Sequence, residues 1–326
     1  MSSKRVLVIT HPQHRPDRSR GLQKMGTEND VWRALKKLGH IVHIAGVNEN
    51  LDDLEMEIDE FRPHIVFNLL EEFLSEAVYD FHIVSYLEAK EIPFTGCNPR
   101  GLIFSRNKFL LGQAANSMEI KTPKSFLTGR GFGRLPKVSE LPPFPLFVKL
   151  NREHASLGIR ESNLVRTEKQ LKDVCRRLTR DFGGEILVQK FTAGEDVTVS
   201  VWGNDTAEVF HPRQLKGGNG VATARLKFSK KYQRKHRVSS LEYKGTSAEK
   251  VREQALSIYR HFDLSGYARV DFRVRDNADP VLIDVNANPN LAVNEDFALS
   301  ARKAGWIYLD LIEHILELGS NYRPRV

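Results

Sequence analysis

Cysteine is almost missing from this chain: among 326 residues only Cys97 and Cys175 are cysteines, and neither sits beside a metal ligand. A disulfide framework is thereby excluded, and a reducing, cytoplasmic compartment with two buried thiols is expected. Long apolar runs are missing as well, since none approaches the roughly 20 residues that span a bilayer. The short apolar run after Lys4 and Arg5 cannot form a signal-peptide core and reads as a first strand. No Walker A sequence occurs, and the three glycines of GRGFGRLP, residues 129–136, neither follow a clear strand nor open a helix. Any phosphate site must therefore be built without a P-loop.

What is present is an ordinary soluble composition, 40% hydrophobic and 28% charged. The length leaves room for about two or three domains. Charge is less ordinary, with a net +8 and a pI near 9.4. Such a balance admits nucleic acid, an anionic surface or acidic small molecules without choosing among them. Arg225, Lys227, Lys230, Lys231, Arg234, Lys235 and Arg237 form a run that contains no acid. A solvated loop accounts for it as well as a binding surface does.

Residues 4–96 alternate short apolar runs with helical periods, the pattern of a parallel α/β unit. Strands are expected at 6–10, 41–45, 65–69 and 92–95, and helices at 27–38, 51–61 and 78–89. The loop HPQHRPDRSRG, residues 11–21, lies where open sheets hold ligands, yet it lacks dinucleotide glycine spacing and reads as a mobile surface loop. Further on, a helix over 105–117 carries Lys108, and an apolar strand ends in Lys149. Burying a lysine there is costly unless an anion neutralises it, so Lys149 reads as functional. Strands at 185–191 and 196–202 flank a break at 192–194. That break fits a hinge that frees backbone groups for a flat ligand, and a simple β-bulge fits it equally. A helix over 247–262 and a helical end with Trp306, Leu309, Ile312, Ile315 and Leu316 complete the pattern.

The chemistry concentrates in residues 266–296. Strand alternation puts Arg269 and Asp271 on one face, with Ala268, Val270, Phe272 and Val274 on the other. After a turn at 276–280, Asp284 and Asn286 share a face opposite Ile283 and Val285. If the two strands pair, Asp271, Asp284 and Asn286 converge beside Arg269, a donor set suited to a hard cation such as Mg²⁺. A hairpin whose polar face is merely solvated is the alternative.

The segments VFNLLEE, IPFTGCNPRG, SRNKFLL, FVKLNREHASLG, VQKFTAGEDVTV, KKY, GYARVDF and IDVNANPN, in this order, resemble the ATP-grasp superfamily and its D-alanine:D-alanine ligase-like branch, over nearly the whole chain. The resemblance implies an α/β architecture: an N-terminal Rossmann-like parallel-sheet domain at 1–98, then two α+β lobes at 99–190 and 191–326 that clamp ATP. It implies an ADP-forming ligase that joins a small-molecule carboxylate to an amine through an acyl phosphate. ATP and Mg²⁺, or Mn²⁺ in its place, are the implied cofactors. Homodimers are common among similar ligases, and no membrane or nucleic-acid partner is expected, the basic run having no aromatics beyond Phe228 and Tyr232.

By position, the resemblance gives Lys108 and Lys149 the ATP phosphates. It gives Gln189, Lys190, Thr192 and Asp196 the adenosine, with Glu195 the alternative at the ribose and Lys231 and Phe272 as further contacts. The loop 152–158 with Ser156 would close over the phosphates, Asp271, Asp284 and Asn286 would hold the metal, and Arg269 would stabilise the acyl phosphate. Glu28, Tyr232, Asn290 and Glu295 would face the substrates. Relatives more often carry glutamate where Gln189, Asp196 and Asp284 stand, and glycine where Asn290 stands. Relatives that join two D-alanines usually carry serine at the positions of Ala155 and Glu295. A glutamate would repel an acceptor carboxylate, so the expected acceptor is cationic, or an amine without a carboxylate nearby. An ATP-dependent phosphotransferase, or a basic nucleic-acid-binding protein, is the competing reading.

Overall fold

The computed structural model of the chain describes residues 2–14, 26–47, 49–129, 137–153, 157–216, 239–275 and 279–324. Ala155, Ser156, Lys231, Tyr232, the basic run at 225–237 and most of the loop at 11–21 lie outside the described residues.

The first sheet is parallel, with β1 (Arg5–Thr10) between β2 (Ile41–Gly46) and β3 (Ile65–Asn68). Val6–Ile9 and the whole of β3 are buried without alternation, as strands covered on both faces must be. The connecting helices are α1 (Thr27–Lys37) and α2 (Leu51–Phe61), the latter capped by the Asn50 side chain accepting from the Asp53 N–H. After α3 (Asp80–Ala89), the strand expected at 92–95 is reduced to a single bridge between Val66 and Phe94. Pro93 has no N–H to extend it.

The single helix expected over 105–117 is two helices, α4 (Pro99–Arg106) and α5 (Lys108–Ser117). Asn107 divides them: its extended backbone ends the first, and its carboxamide accepts the Leu110 N–H to cap the second. Lys108 thus opens a helix instead of lying within one.

The second sheet is antiparallel and comprises β4 (Ser125–Gly129), β5 (Leu146–Leu150), β6 (Leu164–Val165) and β7 (Glu185–Lys190) in the order β4-β7-β5-β6. Helix α6 (Glu168–Phe182), absent from the expectations, packs Leu171, Val174, Cys175 and Leu178 on Val148, Ile186 and Val188. The other face of the sheet is thereby left to Phe147, Lys149, Leu187 and Gln189, which pair across β5 and β7.

The third sheet contains β8 (Glu195–Gly203), β9 (Ala207–Val209), β10 (Arg213–Lys216), β11 (Ser239–Glu242), β12 (Gly266–Val274) and β13 (Val281–Ala287). Its order is β11-β10-β8-β12-β13, with β9 on β8. Helix α7 (Ala248–His261) supplies Val251, Ala255 and Ile258 to the core shared with Val197, Val199, Val270 and Phe272. Then come α8 (Asp296–Lys303) and α9 (Tyr308–Asn321). Helix α9 returns to the start of the chain, burying Leu311, Ile312, Ile315 and Leu316 with Val6, Val8, Val31 and Leu35. No described helix is long and apolar enough to cross a membrane.

Strands β7 and β8 belong to different sheets, so residues 191–194 cross between sheets and are not a bulge within one strand. Gly194 has φ +143°, and a Cβ there would stand 2.5 Å from the Val274 carbonyl oxygen. The crossing therefore requires glycine.

Burial pushes the Cys97 thiol up to about 12 and the Cys175 thiol up to about 11. Neither cysteine should react with iodoacetamide at neutral pH in the native protein, whereas both should be alkylated in denaturant. Intact mass before and after unfolding checks this.

Candidate active site

The polar centre arises where β12 and β13 pair. Arg269 lies opposite Asn286, and Asp271 opposite Asp284, with the register shifting just beyond Asp271. Directly paired residues share a face, so the four side chains lie together. Arg269 donates to both oxygens of Asp271, Nε to Oδ1 at 2.7 Å and Nη2 to Oδ2 at 2.9 Å, and Asn286 Nδ2 donates to Oδ2 at 3.0 Å. Burial opposes the Arg269 charge, but Asp271, then Asp296 and Asp284, outweigh it and raise its pKa.

The facing wall comes from α5 and the second sheet. Lys149 Nζ lies 3.5 Å from the Ile283 carbonyl oxygen, which brings the β5 face onto β13. Lys108 Nζ donates to the Glu153 carbonyl and stands 3.9 Å from Asp284 Oδ2. Both lysines are nearly inaccessible, at 7% exposure for Lys108 and 6% for Lys149. Burial lowers Lys108 to about 8; Asp284 works against that shift and Lys149 adds to it. Two buried lysines thus stand against the hairpin that carries Asp271 and Asp284.

Asn107 and Asn151, which sequence reasoning passed over, hold this wall. Asn151 accepts the Phe109 N–H at 2.9 Å and donates to Asn107 at 3.0 Å and to Glu185 at 2.6 Å. Its signal was a polar residue at the end of an apolar strand, following Lys149 by two.

Gln189, Lys108, Leu282 and Ile283 line a narrow cavity of about 20 Å³ between the sheets. Lys190 is directed elsewhere, its Nζ donating to the Pro143 and Phe144 carbonyls at 2.6 and 3.2 Å. Thr192 lies in the crossing between sheets. Asp196 is opposite Arg273 and paired with it at 2.8 Å, in the row adjoining Thr198 and Asp271. Glu195, its exposed neighbour, has the opposite parity. Phe272 sits in the apolar core, 1% exposed, on the reverse face from Asp271.

On the N-terminal side, Glu28 lies 3.5 Å from Thr10 Oγ1 and 3.4 Å from His14 Nδ1. Asn290 Oδ1 accepts from Thr27 Oγ1 at 2.5 Å and from the Ala292 N–H at 2.8 Å, and the Val293 N–H donates to Asp30 at 3.1 Å. The start of α1 is thus fastened to the loop after β13, bringing Glu28 and Asn290 into one neighbourhood. Glu295 stands at the N-cap position of α8. Asp296 beside it accepts from Ser240 Oγ at 2.7 Å, and Arg213, 5% exposed, donates to the Ser240 carbonyl at 2.7 Å. Nothing in the sequence pattern marked Arg213 or Ser240, because their strands were not anticipated.

Among the described residues no cluster of three histidines, cysteines or acids could enclose a metal. Two aspartates and an amide fit a hard cation only if other oxygens complete its shell, as phosphates do.

A family model described as D-ala D-ala ligase C-terminus matches residues 131–317. The chain is 26% identical over 302 residues to the uncharacterized protein y4sG of Sinorhizobium fredii, covering 89% of this chain and 86% of that one. It is 25% identical over 292 residues to the D-alanine–D-alanine ligase of Aquifex aeolicus, covering 89% and 93%. Among solved structures, the D-alanine–D-alanine ligase of Bacillus anthracis complexed with ATP superposes with a TM-score of 0.76 at 21% identity, covering 97% of each chain.

Proposed function

The chain belongs to the D-ala D-ala ligase C-terminus family, and from that premise we propose that it is an ATP-dependent, ADP-forming carboxylate–amine ligase. The single observation that carries this reading is the meeting of two buried lysines with the paired aspartates of the β12–β13 hairpin. The division of labour is 1–98 as an α/β base, 99–190 as the lobe carrying both lysines, and 191–326 as the lobe carrying the aspartates.

A carboxylate is a poor acyl donor, and phosphorylation of it makes a good one. Lys108 and Lys149 hold phosphate oxygens, each as a compact point charge. Gln189, with the backbone at 190–192, holds adenine, and Asp196 holds ribose; its place on the Asp271 face favours it over Glu195. Asp271, Asp284 and Asn286 are the residues that would hold Mg²⁺, or Mn²⁺ in its place, which bound there supplies neutralising charge to the phosphates. Arg269 stabilises charge as the acyl group passes to the amine. Burial of these groups between two sheets excludes the water that would hydrolyse an activated acyl group. The reduced, buried thiols suit a cytoplasmic setting.

The acceptor differs from D-alanine. Glu295, followed by Asp296, puts negative charge at the start of α8, where a helix would otherwise attract a carboxylate. Glu295→Ser should lower the KM of amino-acid acceptors about tenfold, the equivalent of about 1.4 kcal/mol. Initial rates with D-alanine as acceptor check this, and an unchanged KM removes Glu295 from acceptor selection.

The test of the whole reading is phosphate release with ATP, Mg²⁺ and paired carboxylic acids and amines, followed by product mass. An amide with stoichiometric ADP is expected. A stable phosphoester would make the protein a phosphotransferase and overturn the ligase reading.

A further inference from the structure

The second sheet has a side that ligation does not use. On the face away from Lys149, a groove of about 440 Å³ lies between α6 and the end of β4. Lys172, Arg176, Thr179 and Arg180 of α6 form one wall, and Thr128 and Gly129 of β4 the other. Strand β4 is the outer strand of its sheet, and among the described residues it pairs only with β7. Its outward N–H and C=O groups are a template for another extended chain.

The wall of α6 is spaced to read such a chain. Lys172, Arg176 and Arg180 recur every four residues, about 6 Å apart along a helix. Alternate residues of a strand are about 6.6 to 6.8 Å apart, so the two repeats stay in step over three side chains. Each cation has an acid on its own helix: Lys172 with Glu168 at 2.5 Å, Arg176 with Asp173 at 3.0 Å, and Arg180 with Asp181 at 2.8 Å. Arg176 and Arg180 are nonetheless 74% and 76% exposed, and such pairs are weak enough to exchange. With Lys169 and Arg177 the helix carries five cations against three acids, so it stays positive.

We propose that this groove binds an extended acidic segment of another protein, which adds to β4 as a strand with acidic side chains at alternate positions meeting Lys172, Arg176 and Arg180. A compact anion would engage one or two of these cations and leave the strand edge unpaired. Duplex nucleic acid could not pair with the edge at all.

The probe is a fluorescein-labelled octapeptide of alternating glutamate and threonine, titrated with the full chain and followed by anisotropy. Expected results are saturable binding, weakened at least tenfold by R176E/R180E, and weakened likewise by methylating one alternate set of peptide nitrogens but not the other. A thermal melt matching the parent shows the variant folded; if it shifts, R176Q/R180Q takes its place. Phosphate release with ATP should be equal in variant and parent, since α6 lies off the lysine face. The cations at 225–237 are unchanged in both and serve as the control for unspecific attraction. Binding that survives R176E/R180E overturns the proposal. So does equal binding of a peptide with its four glutamates in one block, or equal competition by citrate, inorganic phosphate or a DNA duplex.

Discussion

Asp284→Asn should lower kcat about 10²- to 10³-fold while leaving the melting temperature nearly unchanged, whereas Asp271→Asn should lower both. The two residues face each other across β12 and β13, yet their surroundings differ. Asp271 is bound through both oxygens to the largely buried Arg269, so neutralising it weakens two charge-assisted hydrogen bonds, a loss of about 1.5 to 3 kcal/mol. Asp284 is held more loosely, 3.9 Å from Lys108 Nζ and accepting the Val285 N–H at 3.1 Å, so its neutralisation breaks no two-bond ion pair. Phosphate release titrated with Mg²⁺, alongside thermal melts, separates the two effects. Equal melting temperatures for both variants would refute the structural role of the Arg269–Asp271 pair. Full activity in Asp284→Asn would refute the metal assignment.

Lys108→Met and Lys149→Met should each lower kcat/KM for ATP about 10²- to 10³-fold, and Lys108→Met should yet stabilise the nucleotide-free protein. At Lys108 the change replaces a buried cation, whose desolvation outweighs the attraction of Asp284, by an apolar side chain of similar length. A variant that is both inactive and less stable would mean that the lysine served packing. Lys108 also carries a pH signature. Its folded-state value of about 8 lies below the ordinary lysine value, so between about 8 and 10.5 the unfolded chain binds the extra proton. The contribution of Lys108 to stability therefore rises with pH across that window and is absent from Lys108→Met. Urea unfolding at pH 7.5 and 9.5, in chelator and without nucleotide, compares the parent with the variant.

Much of this site could be read from the chain because its signals are local. Arg269, Asp271, Asp284 and Asn286 were placed on polar faces by a two-residue period, and the alternating burial of β12 follows it, whereas in β13 the register shift buries Leu282, not the expected Ile283, beside Val285. The buried lysine of β5 showed itself as a charge in an apolar run. Expectations failed where the decisive contact was distant or the breaker subtle. The helix at 105–117 became two because Asn107 caps the second, which composition alone did not reveal. Helix α6 was passed over despite its regular Leu171, Val174, Cys175 and Leu178, because its surface face is crowded with charge.

The sequence by itself determined the local facts: which residues alternate, where the chain turns, and that no P-loop motif is present. Tertiary structure alone decided that Lys108 at the start of α5 meets Asp284 of β13, that residues 191–194 cross between sheets, and that α9 closes on β3. The physical reason is range. Strand and helix periods are set within a few residues by backbone geometry, whereas the Lys108–Asp284 and α9–β3 meetings join residues more than a hundred positions apart, and all three exist only once burial of the three sheets has fixed their faces.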